Sequence, residues 1–377
     1  MYFPLTPEQE MIRVMVGQFA AREVAPGAAK RDETGQFPQE LLSKMAQLGL
    51  WGMMVPARYG GSEVGAVAYV LAVMEIAQAC ASTAVTMSVT NLSCEPLVLA
   101  GSEEQKKRLL LPLASGKLLG AFALTEPEAG SNLAEIKCRA RKKGSRYLLN
   151  GSKFFITNGA YAGEIFVLAR TEDSGSRGLT AFMVEKDSPG LVVGKAIAKM
   201  GLRASNTVEL CFEDCEVPEE NRLGKEGEGM SIVVKALASG RIGIAAQAAG
   251  MLRACLTEAK NYAEQRSQFN KPLAAHQTIA NMIADIATKT EAAELMTLSA
   301  AALKDQGKPF VKEASMAKLF ASENLNQAAY LALQIHGGYG YTREFAIERI
   351  YRDARVTTIY EGTSEIQRML IAKETMK

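Results

Sequence analysis

The sequence predicts an α+β protein, mainly α, in three parts. These are an N-terminal all-helical domain over residues 1–118, a small antiparallel β domain over 119–228, and a C-terminal four-helix bundle over 229–377. Three observations carry this expectation. Apolar residues recur at helical spacing through the first third, and short β-branched and aromatic runs replace them from about Leu119. Long Ala- and Met-rich periodic stretches then follow Gly224-Lys225-Glu226-Gly227-Glu228-Gly229. At 377 residues the chain exceeds the usual single-domain size, which agrees with several packed units.

Taken in order, Thr6 caps a helix that begins at Pro7, and Gln9 at its third position completes a capping box. Periodic runs follow at 38–49, ending at Gly49, and at 66–79 and 85–100, divided by turns such as Pro56-Ala57-Arg58-Tyr59-Gly60-Gly61. The β part begins with Tyr147-Leu148-Leu149, an Asn150-Gly151 hairpin turn and a return strand at 153–157. Further strands are expected at 165–170, 179–185 and 208–212. Helices at 230–265, 275–305 and 310–335 must bury broad faces against one another, as a bundle does. Near the end, the β-branched run Val356-Thr357-Thr358-Ile359 disfavours helix, and a Ser364…Gln367 capping box opens the last one.

Composition narrows the function. With 43 Lys+Arg against 41 Asp+Glu the formal charge is +2, and no long like-charge run is present, which argues against a nucleic-acid binder. No uninterrupted apolar stretch of about 18 residues and no basic-then-apolar leader is seen, so a soluble, cytoplasmic chain without membrane association is expected. Six cysteines without a C-x-x-C pair, beside two histidines, make a disulfide framework or a metal site an unneeded assumption. Cys211 and Cys215 read as packing or surface thiols.

The chemistry centres on Glu361, on a loop before a helix N-terminus. Free backbone N–H groups and the helix dipole suit an anion or a carbonyl there, and a carboxylate beside them can act as a base. Alone, a Glu in that place reads as a dipole-complementing surface charge. It has company. The run Leu124-Thr125-Glu126-Pro127-Glu128-Ala129-Gly130-Ser131 resembles a signature of the acyl-CoA dehydrogenases. So do Asn150 to Gly159, Gly240-Arg241, Arg266-Ser267-Gln268-Phe269 with Gln277, Gln334-Ile335-His336-Gly337-Gly338, and Tyr360-Glu361-Gly362-Thr363, in order and at the family's spacing. Essentially the whole chain is covered, and the match is nearest the short-chain, butyryl-type members.

That resemblance implies FAD as cofactor. Phe122, Ala123, Leu124, Thr125, Gly130 and Ser131 would line one side of the flavin ring, and Phe155, Ile156 and Thr157 the other, although on its own pattern the latter run is a core strand. Phe155 stands where many members carry Trp, and an aromatic is retained for stacking. No G-x-G-x-x-G followed by an acidic residue marks a Rossmann site. Instead Arg266, Phe269 and Gln277 would meet the dinucleotide portion, with Gln334, Ile335, Gly337 and Gly338 coming from a neighbouring subunit, and Thr363, Ser364 and Glu365 also touching the cofactor. His276 and His336 read as packed or cofactor-side residues.

For the substrate, the resemblance implies an acyl-CoA thioester bound by Ser131, Ala238, Arg241 and Gly362. Glu361 would remove the α-proton while the β-hydride passes to the flavin N5, and the backbone N–H of Glu361 and a ribityl hydroxyl would meet the thioester oxygen. Ala238 replaces an Asp usual in short-chain relatives. Two other base positions used in the family are filled by Gly240 and Asn91, and Ser82-Thr83-Ala84-Val85-Thr86 lacks the Arg of glutaryl-CoA enzymes. The product is a trans-2-enoyl-CoA, the electron acceptor an electron-transferring flavoprotein, and the assembly a homotetramer. Branched or alicyclic thioesters, an acyl-CoA oxidase, and a non-catalytic or DNA-associated homologue are the alternatives.

Overall fold

The computed structural model describes residues 3–377. The N-terminal helices are α1 (Pro7–Phe19), α2 (Ala28–Thr34), α3 (Gln39–Gln47), α4 (Gly65–Ala79) and α5 (Ala81–Ala100), followed by the short α6 (Glu103–Gln105) and α7 (Leu111–Ala114). The Thr6 capping box is present: the Thr6 hydroxyl accepts from the Gln9 N–H, and the Gln9 side chain accepts from the Thr6 N–H. The helix expected from residue 85 starts at Ala81 instead, because only Cys80, extended at φ −160°, separates α4 from α5.

The middle of the chain forms an eight-stranded sheet from β1 (Leu119–Ala123), β2 (Arg139–Lys143), β3 (Arg146–Thr157), β4 (Ala162–Arg170), β5 (Leu179–Glu185), β6 (Leu191–Val193), β7 (Thr207–Pro218) and β8 (Arg222–Leu223). Most pairs are antiparallel, but β1 lies parallel to β4 in register Phe122↔Phe166, and β2 meets β4 in parallel at one residue pair. The expected Asn150-Gly151 hairpin turn is absent. β3 runs straight through it, and the hairpin closes at Gly144-Ser145 between Lys143 and Arg146. Asn150 and Gly151 make a bulge: the register to β7 slips between Leu149 and Gly151, and Asn150 exchanges two hydrogen bonds of 2.9 Å with Asp214. Asn-Gly favours left-handed backbone, which a bulge uses as well as a turn does.

The C-terminal part comprises α8 (Gly229–Gln265), a β9–β10 hairpin (Ser267–Gln268, Lys271–Pro272), α9 (Gln277–Asp305), α10 (Val311–His336), α11 (Ile347–Ala354) and α12 (Ser364–Thr375). By length and composition α8 would pass for a membrane span, with a window of mean hydropathy 1.3, but 72% of that window is buried inside the protein. It is the central core helix, packed on α4, α5, α9 and α10. One apolar core joins the N-terminal helices to α8–α11, and a second fills the sheet with parts of α5 and α7. The two cores meet where α5 and α8 pack against the sheet.

Candidate active site

Glu361 lies on a tight turn between the 3₁₀ segment Arg355–Thr358 and α12. The β-branched run before it does not extend into a strand; it takes one 3₁₀ turn. Glu361 has φ +55° and Gly362 φ +94°. A left-handed non-glycine residue costs energy and persists only where its surroundings hold it. Here two donors converge on the Gly362 carbonyl: Lys318 Nζ at 2.8 Å and Gln367 Nε2 at 2.9 Å, the latter also 3.3 Å from the Glu361 carbonyl. The helix cap differs from expectation. Thr363, not Ser364, is the N-cap, its hydroxyl accepting from Ile366 N–H at 3.4 Å, and Gln367 turns back to the loop. Upstream, the Tyr360 hydroxyl donates to Gln247 Oε1, and Gln247 Nε2 donates to the Ala81 carbonyl at 3.0 Å.

The Glu361 side chain points at α8. A Cβ at Gly240 would meet the Glu361 carboxylate, with Cδ 3.2 Å away, and Leu92 of α5 at 3.4 Å. Glu361 is half-buried as a residue, yet its Oε2 is sealed from solvent and has no hydrogen-bond partner among the described residues. Burial pushes its carboxyl up to about 7, against the opposing pull of Arg241 and Lys318. Arg241 is itself buried, with Nε and Nη1 unpartnered, and burial lowers its proton affinity while Glu361 raises it. A carboxyl midpoint near neutrality, with one oxygen left without a hydrogen-bond partner among the described residues, suits a group that accepts a proton from carbon.

One residue from Gly240, Ser239 joins a polar cluster. Lys304 Nζ, from the end of α9, lies 2.5 Å from Glu95 Oε1, 2.6 Å from Ser239 Oγ and 3.4 Å from Met54 Sδ. Glu95 is on α5 three residues beyond Leu92, about one helical turn, about 5.4 Å, further along that helix than the residue that faces Gly240. Ala238 is buried beside it. Asn91 is a structural residue: its Oδ1 accepts from Met53 N–H at 3.1 Å, and its Nδ2 donates to the Leu50 and Met87 carbonyls at 2.8 and 3.1 Å.

The sheet brings a second set of residues together. β1 delivers Phe122, stacked on Phe166 with centroids 4.5 Å apart, into the 124–131 loop. Phe154 N–H donates to the Thr125 carbonyl at 2.7 Å, so this loop and residues 155–157 are neighbours. Lys153, with no exposed surface, donates to the Leu124 carbonyl at 2.9 Å and to Glu126 Oε1 at 2.7 Å. Glu126 accepts in turn from Lys137 and Cys138 N–H at 2.6 and 3.0 Å. Thr125 and Thr157 are half-buried, Ile156 is buried, and Gly130 and Ser131 are exposed. Phe155 is no core residue; it is 59% exposed with φ +59°. A third group forms at the base of the bundle, where Arg266 lies over the Tyr339 ring at 5.9 Å, Phe269 is 89% exposed, and Gln277 and Gln334 are exposed. Ile335 is buried, and His336 packs between Tyr262 and Phe345, donating from Nδ1 to the Ala332 carbonyl at 2.7 Å.

Family models for the acyl-CoA dehydrogenase N-terminal, middle and C-terminal domains match residues 6–117, 121–215 and 227–376. The chain belongs to the acyl-CoA dehydrogenase family. An acyl-CoA dehydrogenase of Bacillus subtilis is 50% identical over 371 residues, 98% of each chain. The CarC subunit of the caffeyl-CoA reductase–Etf complex of Acetobacterium woodii is 45% identical, covering 100% of both. The solved butyryl-CoA dehydrogenase of Megasphaera elsdenii superposes with a TM-score of 0.98 at 41% identity, again over 100% of both chains. The protein is thus a flavoprotein oxidoreductase acting on CH–CH groups, with FAD as its cofactor.

The residues present fit that cofactor. Phe155 and Phe269 are large aromatic side chains left in the open, and Gly130, Gly337 and Gly338 have nothing among the described residues, their chain neighbours apart, within 4 Å of where a Cβ would stand. The Ser364 hydroxyl, 3% exposed, has no partner among the described residues. Apolar area and polar atoms left without a use by the fold are what a bound aromatic dinucleotide takes up. Lys318, Lys304 and Gln247 were not singled out from the sequence, and Gln367 was read only as part of a capping box. Lys318 was detectable: it interrupts a buried small-residue stripe of Ala314, Ala317, Ala321 and Leu325 on α10.

Proposed function

We propose that the protein desaturates a short-chain acyl-CoA thioester to the trans-2-enoyl-CoA, with Glu361 as the base. The observation that carries this is the Glu361 carboxyl, sealed and unpartnered at Oε2, raised toward neutrality and flanked by Arg241 and Lys318. In this reading the acyl chain lies in a groove between α5 and α8 so that its α-carbon faces Glu361, and the carboxylate takes the α-proton. The thioester oxygen is met by backbone N–H at the Glu361–Gly362 turn, which lies just ahead of the α12 N-terminus, where positive dipole favours developing negative charge. Phe122, Ala123, Leu124, Thr125, Gly130 and Ser131 would hold one side of the flavin ring and Phe155, Ile156 and Thr157 the other, and FAD bound there would supply the acceptor for the β-hydride. Arg266, Phe269, Gln277, Gln334, Ile335, Gly337, Gly338, Thr363, Ser364 and Glu365 hold the rest. Ser131, Ala238, Arg241 and Gly362 contact the thioester.

Chain length follows from the groove's far end. The Lys304–Glu95–Ser239 cluster stands about one helical turn along α5 from the residue that faces Gly240, where an acyl chain longer than a few carbons would have to displace a satisfied ion pair. The butyryl-CoA dehydrogenase likeness points the same way. The CarC relative's complex with an Etf supports an electron-transferring flavoprotein as acceptor. A homotetramer is in keeping with exposed Tyr330, Tyr341 and Met369 on the bundle surface.

The purified protein is expected to be yellow and to bleach when butyryl-CoA is added anaerobically. Glu361→Gln keeps the colour and slows bleaching at least about a hundredfold; a variant that bleaches at the wild-type rate refutes the base assignment. A panel of acyl lengths in the same assay reads the specificity, and oxygen uptake separates dehydrogenase from oxidase.

A further inference from the structure

We infer that Lys318 is the positioning residue of this site: its ammonium clamps the Tyr360-Glu361-Gly362 turn through the Gly362 carbonyl and favours the proton-accepting form of Glu361. The inference deepens the proposed function and rests on it. Lys318 has no exposed surface and lies in the α10 stripe whose other members are alanine and leucine. Packing alone would be served there by Met, and a buried ammonium is expensive unless something holds it. Its hydrogen bond goes to the Gly362 carbonyl at 2.8 Å, the acceptor it shares with Gln367. Two donors on one carbonyl occupy both lone pairs. They pin the residue that follows Glu361, and so hold Glu361 at φ +55°, a conformation it would not keep unaided.

The charge matters separately from the clamp. Facing Lys318 are Glu361, Arg241 from α8, Glu323 on its own helix and Glu365 in the first turn of α12. Facing Glu361 are the two cations, Arg241 and Lys318, while the nearby hydroxyls of Tyr69 and Tyr360 feel its charge. Burial drives Lys318 down to about 8 and Glu361 up to about 7, each opposed by the other. Removing the lysine therefore leaves Glu361 with Arg241 alone, and its midpoint must rise. Among the described residues Arg241 makes no hydrogen bond through Nε or Nη1 and none to the loop carbonyl, so it does not replace the clamp.

The test uses substrate-free holoprotein for one measurement and anaerobic butyryl-CoA bleaching for the other. Infrared difference spectra against Glu361→Gln follow the Glu361 carboxyl through a pH titration. Lys318→Met is expected to move that midpoint up by about one unit and to lower the plateau bleaching rate at least about tenfold with FAD retained. Gln367→Leu, which removes a donor but no charge, should lower the plateau and leave the midpoint where it was. Lys318→Arg, which keeps the charge, should restore the midpoint. A Lys318→Met protein with wild-type midpoint and plateau overturns the inference; should that variant not fold, Lys318→Gln supplies the same two readings. A wild-type protein that no acyl thioester bleaches defeats the proposed function instead, and the infrared midpoint still decides the role of Lys318.

Discussion

Replacing Gly240 by Ala tests the site geometry with little interference from folding. The Cβ would stand about 1 Å inside van der Waals contact with the Glu361 carboxylate, and 3.4 Å from Leu92 Cδ1. The carboxylate is the far end of a flexible side chain, so it yields by rotating off α8. A displacement of about 1 Å at a reacting group costs on the order of a hundredfold in rate. Meanwhile the helix gains, because Gly to Ala in a helix interior is worth about 1 kcal/mol. The variant should therefore bleach with butyryl-CoA about a hundredfold more slowly, remain yellow, and melt at or above the wild-type temperature. Stopped-flow absorbance and thermal denaturation on one preparation measure both. Bleaching within about threefold of wild type would refute the placement of the base against Gly240, and a lower melting temperature would show that the strain falls on the backbone.

The remaining predictions concern charge. Because burial raises Glu361 to about 7, kcat/KM for desaturation should fall about tenfold per pH unit below that value and level off above it. The linkage runs in the opposite sense: with a folded-state midpoint above the ordinary 4.5, this carboxyl's contribution to stability is full below pH 4.5 and lost as pH rises through 7, so Glu361→Gln should stabilise the protein at pH 8 but not at pH 4, read by chemical denaturation. Lys153→Met strands Glu126 in the core and should cost about 3–5 kcal/mol, with weaker FAD retention because the Leu124 carbonyl loses its tie; unchanged retention would contradict the role given to that pair. Replacing Glu95 by Gln and Lys304 by Met together removes the charges that end the groove and should shift kcat/KM toward longer acyl chains by about tenfold between butyryl- and octanoyl-CoA, whereas Lys304→Met alone should mainly destabilise by leaving Glu95 unpaired.

Much of the fold was legible in the chain. The Thr6 cap and the helices over 66–79, 230–265, 275–305 and 310–335 follow from local periodicity and capping, which depend on neighbours three or four residues away. Glu361 was legible through its company, since motifs hundreds of residues apart agree on one chemistry. Tertiary structure decided what local rules leave open. Asn150-Gly151 serves a turn or a bulge equally well, and pairing with Asp214 on β7 selected the bulge. Phe155 falls in a run that reads as core, and a left-handed backbone turned it outward. Lys304 looks like an ordinary helix-surface lysine, and Lys318 shows only as a break in the apolar stripe of α10, until packing sets the first between Glu95 and Ser239 and buries the second against the Gly362 carbonyl. The sequence alone determined most of the elements and nominated Glu361 as the base. The surroundings that raise the carboxyl to about 7 and hold its turn come from burial and from charges distant in the chain, and those exist only once α5, α8, α10 and α12 have packed.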